Sequence, residues 1–62
     1  MSANNFILIT KKDDKFVAKM LDADTGGEID FICAEDKLED TIKKANDYME
    51  HEEVEYGLSI SI

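Results

Sequence analysis

The spacing of apolar residues changes along this 62-residue chain, and these changes constrain its fold more than any other feature. Segment 6–10 is an almost wholly apolar run, which is typical of a strand covered on both faces. Segment 16–21 places Phe16, Ala18 and Met20 on one side of a strand and Val17 and Leu21 on the other. Apolar side chains recur at every second position in 29–33, at a period near 3.6 from Leu38 to Met49, and at every second position again from Val54 to Ile62. A period of two is typical of a strand with one buried face, and a period of 3.6 is typical of an amphipathic helix. The pattern predicts strands, then one helix, then a last strand.

Five elements follow from this pattern. Strands are predicted at 6–10, 16–21, 28–33 and 54–62, and Ile29, Phe31 and Cys33 are predicted to point inward from the third. A helix is predicted from 37 to about 51, with Asp36 as its cap and Glu39 completing a capping box. The predicted apolar stripe of this helix consists of Leu38, Ile42, Ala45, Tyr48 and Met49.

The connections between these elements are short, which limits how they can be arranged. The Asp22–Gly27 segment is predicted to be a turn, because its glycines permit positive φ and its aspartates can accept hydrogen bonds from nearby backbone N–H groups. A right-handed crossover through the helix returns the last strand parallel to the first. We therefore expect an α+β fold in β-β-β-α-β order, with a mainly antiparallel sheet of spatial order 3-2-1-4 and the helix on one face. Residues 1–62 are expected to form one domain, since a chain this short cannot support a second core.

The charge balance indicates which kinds of partner the protein can bind. The sequence has 15 Asp and Glu against 7 Lys, no Arg, and a formal net charge of −8. Binding to nucleic acid depends on clustered Lys and Arg, so direct contact with a polyanion is not expected. A basic or nucleic-acid-binding protein is the partner that this charge favours, although the same acidity can simply keep a small protein in solution. No signal-peptide pattern is visible, and no apolar run approaches the roughly 20 residues of a membrane span, so we expect a cytoplasmic protein without membrane contact.

Two short motifs in the predicted turn are similar to known functional motifs, but each lacks residues that the function requires. Asp22 and Asp24 occupy the first and third positions of an EF-hand-like loop, but Gly26 and Cys33 stand where its later oxygen ligands belong. The triplet Asp24-Thr25-Gly26 matches that of aspartic proteases, yet those enzymes need a second such aspartate. We therefore predict no metal and no cofactor at this turn.

No other segment of the sequence indicates a catalytic nucleophile or a catalytic histidine. His51 is the only histidine and is predicted to lie exposed at the helix end, where a cation opposes the helix dipole favourably. Cys33 is the only cysteine, and its position on a predicted inward face makes it a small core residue. The chain is therefore predicted not to be an enzyme.

Two candidate interaction surfaces remain. The first is an acidic stretch that contains six acids and no lysine between positions 22 and 36. Its predicted partner-binding residues are Asp22, Asp24, Glu28, Asp30, Glu35 and Asp36. The second surface joins the polar side of the last strand to a predicted apolar patch on the sheet face that the helix leaves open, and it could join two copies of the chain. Its predicted residues are Val17, Leu21, Ile32, Glu55, Ser59 and Ser61.

The order of strand, charged turn, strand, glycine-containing loop, strand and the helix that follows Asp36 resembles the N-terminal domain of HicB-type antitoxins over residues 6 to about 50. The chain has no proline, so the proline-containing signature of that family has no counterpart. In size and charge the chain is similar to phage and mobile-element inhibitors, including anti-CRISPR proteins and DNA mimics. The expected function is thus a non-catalytic protein-binding module, possibly inhibitory, with a small structural or regulatory homodimer as the alternative.

Overall fold

The computed structural model describes residues 4–62. Within that range, four strands and one helix follow in the predicted order: β1 (Asn5–Lys12), β2 (Lys15–Asp22), β3 (Glu28–Glu35), α1 (Leu38–His51) and β4 (Leu58–Ser61). The sheet has the spatial order β3-β2-β1-β4. The β1–β2 and β2–β3 pairs are antiparallel, whereas β1 and β4 are parallel, so the sheet is mixed. The predicted fold class and strand order are confirmed.

The turns are closed by local hydrogen bonds. The N–H of Asp24 donates to Asp22 Oδ1 at 2.8 Å, and the N–H of Gly27 donates to Thr25 Oγ1 at 3.1 Å. Gly26 adopts a φ of 76°, a region that glycine enters without steric cost. The predicted bonding of an aspartate side chain to the backbone of this turn is confirmed for Asp22, and these bonds fix how β2 leads into β3.

The helix covers one face of the sheet, which we call the covered face. Ile7 and Ile9 of β1 are fully buried there, together with Ala18 of β2, Cys33 of β3 and Ala45 of the helix. All five residues of the predicted helix stripe pack against this core, as the 3.6-residue period requires.

A threonine on the helix was missed as a core residue. Thr41 is fully buried, and its hydroxyl lies 3.2 Å from the carbonyl oxygen of Phe16 and 3.1 Å from that of Lys37. A buried hydroxyl is tolerated when it is hydrogen-bonded. Thr41 therefore connects the helix to β2 through a polar contact inside an otherwise apolar layer.

The predicted capping box is wrong. The helix begins after Lys37, which makes no side-chain capping hydrogen bond. The carboxylate of Asp36 instead accepts a hydrogen bond from Lys15 Nζ at 2.6 Å. The pairing of Phe16 with Glu35 brings the start of β2 beside the end of β3, so a lysine reaches Asp36. The acids of the first helical turn, Glu39 among them, still oppose the positive end of the helix dipole.

The predicted faces of β3 are partly wrong because the strand contains bulges. Ala18 pairs with Cys33, but Lys19 pairs with Phe31, which leaves Ile32 as an extra residue. Ile32 and Cys33 both pack on the core, whereas Phe31 is 53% exposed. A second irregularity precedes the pairing of Leu21 with Glu28, and Ile29 in that interval is 52% exposed. A bulge reverses the alternation beyond it, which a strict period of two cannot anticipate.

The last strand is shorter than predicted, since the segment 54–57 is not part of the sheet ladder. Asn5 holds this segment: its Oδ1 accepts a hydrogen bond from the N–H of Glu55 at 2.9 Å, and its carbonyl oxygen accepts one from Tyr56 at 3.0 Å. Gly57 then adopts a φ of 76°, and the extended strand begins at Leu58. Val54 and Leu58 pack on the core, but Ile60 and Ile62 do not share that burial.

Candidate functional site

The topology brings five chain segments to one end of the molecule. These are the start of β1, the end of β2, the start of β3, the end of α1 and the segment before β4. Hydrogen bonds join them there: the N–H of Ala23 donates to the carbonyl oxygen of Asn4 at 2.9 Å, and Asn5 holds residues 53–56. Residues far apart in sequence therefore share one surface.

This end carries the net charge of the protein. Its ten charged side chains are nine carboxylates and a single ammonium group, and they account for the whole formal charge of −8. The other charged side chains, six acids and six lysines, cancel. We call the two regions the acidic end and the balanced end. The charged residues of the acidic end are Asp22, Asp24, Glu28, Asp30, Asp47, Glu50, Glu52, Glu53, Glu55 and Lys19.

The ion pairs increase the difference in unpaired negative charge between the two ends. At the balanced end, Lys15 Nζ lies 2.6 Å from Asp36 Oδ1, and Lys44 Nζ lies 2.8 Å from Glu35 Oε2. The hydrogen bond from Lys15 holds the pKa of Asp36 below its usual value, and the bond to Glu35 raises the pKa of Lys44. At the acidic end only Glu28 pairs with a lysine among the described residues, through a 3.0 Å contact with Lys19. Most carboxylates of the acidic end therefore face solvent without a cation beside them.

The structure divides the predicted acidic stretch. Asp22, Asp24, Glu28 and Asp30 lie at the acidic end, but Glu35 and Asp36 lie about 20 Å away at the other end of β3, given about 3.3 Å per strand residue. Both distant acids are neutralised by lysines. A contiguous stretch of sequence thus does not form a contiguous surface.

Four of the nine carboxylates of the acidic end are not predicted by the sequence reasoning above. The missed carboxylates come from the last turns of α1 and the segment after it. The signal was present, because residues 47–55 contain five acids and no lysine. These acids lie in a helix and the segment after it, where the apolar periodicity predicts the element but not which end of the fold its charges share. The missed members are Asp47, Glu50, Glu52 and Glu53, while Glu55 had been assigned to the polar side of the last strand.

A shallow groove of about 540 Å³ lies between the helix and β3, lined by Ile32, Lys44, Asp47, Tyr48 and His51. The Tyr48 hydroxyl donates to Asp30 Oδ2 at 3.2 Å. Burial, and then this bond to Asp30, raise the pKa of Tyr48. His51 Nδ1 lies 2.8 Å from the carbonyl oxygen of Asp47, and the ring is exposed as predicted.

The thiol of the chain is not part of this groove. Cys33, the one thiol of the chain, is buried in the core, and burial raises its pKa, which disfavours the reactive thiolate. Within residues 4–62, no three metal-binding side chains come together. The groove is therefore an open depression with one tyrosine and one imidazole at its wall.

The opposite face of the sheet, which we call the open face, is not covered by a helix from residues 4–62. By strand alternation and register it presents Phe6 and Leu8 of β1, Val17 and Leu21 of β2, and Phe31 of β3. Val17 and Leu21 thus lie on the face predicted for them. Ile32, predicted beside them, lies instead in the groove on the covered side.

The other residues predicted for this second surface also separate. Ser59 and Ser61 pair with Leu8 and Thr10, so their side chains lie on the open face. Glu55 lies before β4 and belongs to the acidic end. The open face therefore combines apolar side chains with Lys19, which lies between Leu8 and Phe31 and pairs with Glu28, and small polar residues line one edge.

The fold and these surfaces define a small α+β domain with one helix on a four-stranded mixed sheet and a charge concentrated at one end. No protein-family model, curated protein or solved structure matches the chain. The similarity to HicB-type antitoxins therefore remains one of element order. None of the helices in the described part of the chain is long and apolar enough to cross a membrane.

Proposed function

We propose that the protein is a non-catalytic, cytoplasmic protein-binding module that presents its acidic end to a basic or nucleic-acid-binding partner. One observation carries this proposal: the entire formal charge of −8 is contributed by side chains at one end of the fold. Charge concentrated on one surface produces a potential that steers a cationic partner and orients it during encounter. A uniformly acidic surface would aid solubility but would not select an orientation.

The proposed action is occlusion. A partner that binds nucleic acid does so through clustered Lys and Arg, and an array of carboxylates can occupy the same cluster. Several elements meet at the acidic end, and Asn5 holds the backbone of residues 53, 55 and 56 against β1. An inhibitor or DNA mimic from a phage or mobile element would act in this way.

The experiment compares two variants of equal charge. The acidic-end variant carries E50Q, E52Q, E53Q and E55Q, and the control carries D13N, D14N, E39Q and D40N at the balanced end. Each changes the formal charge from −8 to −4, and all eight residues are exposed. Proteins captured from a lysate by the natural chain are identified, and their affinities for all three chains are then measured against salt concentration.

We expect the acidic-end variant to lose on the order of tenfold or more in affinity for the captured partner, and the control to lose much less, because interactions between exposed charges are local at physiological salt. Equal losses in the two variants would show that total charge matters and its placement does not. A complex that survives about 1 M NaCl, where the screening length is about 3 Å, would overturn the electrostatic proposal.

A second candidate function is a structural or regulatory homodimer that associates through the last strand or the open face. The specific observation in its favour is an edge strand, β4, without a charged side chain. Edge strands of monomeric proteins usually carry charges, proline or bulges that prevent pairing with another chain. Under this candidate the acidity would serve solubility.

A further inference from the structure

The two edge strands of the sheet differ in how well they are protected. The β3 edge contains two register irregularities and the charged residues Glu28, Asp30 and Glu35, all of which hinder pairing with another strand. The β4 edge is regular, and residues 57–62 include neither a charged side chain nor a proline. Only β4 therefore offers a flat and uncharged edge.

The register shows which backbone groups of β4 are available. Ile7 pairs with Leu58 and donates its N–H to the carbonyl oxygen of Gly57 at 2.8 Å. In a parallel ladder, a residue bonds to the two neighbours of its partner, so Gly57, Ser59 and Ser61 direct their backbone groups toward β1. The N–H and C=O groups of Leu58 and Ile60 consequently point away from the sheet.

The same residues place apolar side chains along the edge. Ile60 is 46% exposed and Ile62 is 67% exposed, although both belong to the apolar row that Leu58 begins. If a second β4 runs antiparallel with its centre at Ile60, the two Ile60 residues face each other and Leu58 faces Ile62 of the second copy. These positions are the hydrogen-bonded type of antiparallel pair, which uses the outward backbone groups. Apolar side chains opposite each other on one face stabilise such a pair.

The apolar row of β4 is complementary to itself, which favours a second copy as the occupant, and the charge distribution selects the antiparallel orientation. The strand β4 begins beside the acidic end, and its last residue pairs with Thr10, next to Lys11 and Lys12 of the balanced end. An antiparallel pair therefore sets each acidic end beside the balanced end of the other copy. Parallel pairing would bring two acidic ends together, which their like charge opposes.

We propose that two copies of this chain pair antiparallel along β4, centred on Ile60, and form a continuous eight-stranded sheet. The proposal does not rest on the acidic end binding a partner. Both acidic ends stay at opposite extremes of the assembly, so the two activities can be tested separately.

The test uses light scattering on the full chain at micromolar concentration and physiological salt, with twice the 7.0 kDa chain mass expected. The substitution I60P removes an N–H that points away from β1, so it should leave the β1–β4 ladder intact and yield a folded monomer. In the control S59K, a lysine is placed on the open face of the same strand; the dimer should persist with at most a modest loss. Circular dichroism reports whether each variant is folded.

A cross-linking measurement tests the register independently of any unfolding by I60P. In a C33A background, I60C places two thiols opposite each other with Cα atoms about 5.5 Å apart, within the range of a disulfide. We expect mild oxidation to link two copies of I60C at least about tenfold faster than two copies of S59C. In the proposed pair, residue 59 of one copy faces residue 61 of the other, so the two S59C thiols do not lie opposite each other. A natural chain that stays monomeric, a dimer that a folded I60P variant retains, or equal cross-linking of both cysteine variants would each overturn the proposal.

Discussion

The two faces of the sheet have similar sequences but different environments. In β1, Ile7 and Ile9 on the covered face alternate with Phe6 and Leu8 on the open face, so both rows are apolar. The covered row is fully buried under the helix, whereas the open row is only half-buried. Hydropathy alone therefore does not tell which face becomes the core. The single helix decides, because it has one apolar stripe and can cover only one side.

The largest expected effect comes from shortening a residue on the covered face. The substitution I9A should lower the free energy of unfolding by about 2–5 kcal/mol, the usual cost of removing a buried aliphatic side chain and leaving a cavity. The matched control, L8A, removes a half-buried side chain from the open face, and we expect a loss of about 1 kcal/mol. Urea unfolding monitored by circular dichroism measures both.

A domain of this size has little stability to lose, so I9A could unfold it. The milder pair I9V and L8V then gives the same comparison, with an expected loss of about 1 kcal/mol for I9V and a smaller loss for L8V. If L8A proved as damaging as I9A, the open face would be covered in solution, and a second copy or a partner on that face would have to be sought.

The second prediction uses adjacent positions that face opposite sides of β3. Cys33 is buried under the helix, whereas Ala34 is exposed and pairs with Val17 on the open face. We expect a thiol-reactive disulfide reagent to label Cys33 at least about tenfold more slowly than the new thiol in the double variant C33A/A34C, because Cys33 reacts only after local opening. Burial also raises the pKa of Cys33, so fewer of its thiols are ionised at a given pH. Equal rates in folded protein would contradict the assignment of faces around the bulge.

The element order and the helix stripe were predictable from the sequence because both depend on short-range periodicity. The wrong predictions for β3 and for the last strand have a different cause. Ile32 and Phe31 lie on the faces opposite to those predicted, because a bulge in β3 depends on its pairing with β2. The last strand is predicted to begin at Val54 because the apolar alternation continues through residues that Asn5 holds outside the sheet. Both features depend on partners distant in sequence.

Prediction of the acidic end from the sequence has the same limit. Its contiguous half from Asp22 to Asp30 was visible in the sequence, but the contribution of Glu50 and its neighbours requires the knowledge that α1 ends beside the β2–β3 turn. The pairing of Asp36 with Lys15 likewise appears only when β2 and β3 are side by side. Charge can be counted from a sequence, but its partition between the ends of a fold is a property of topology.

The smallest expected effect lies at the margin of the covered face, where Tyr48 packs on the core and donates a hydrogen bond to Asp30. Burial, followed by the bond and the charge of Asp30, raises the pKa of the Tyr48 phenol above its ordinary value of 10.0. The substitution Y56F leaves Tyr48 as the only tyrosine, so ultraviolet absorbance can follow its ionisation alone. We expect a midpoint above pH 10 in folded protein and a return to about 10 in urea.

The sign of this pKa shift fixes how Tyr48 affects stability. A folded-state pKa above the unfolded one means that the folded protein holds the phenolic proton more tightly, so the contribution of Tyr48 is complete below about pH 10 and is lost as the pH rises through the folded pKa. The added variant D30N removes the neighbouring charge and should reduce the shift without abolishing it, since burial is the larger cause. A midpoint at 10 in the folded Y56F protein would place Tyr48 in solvent, outside the covered face.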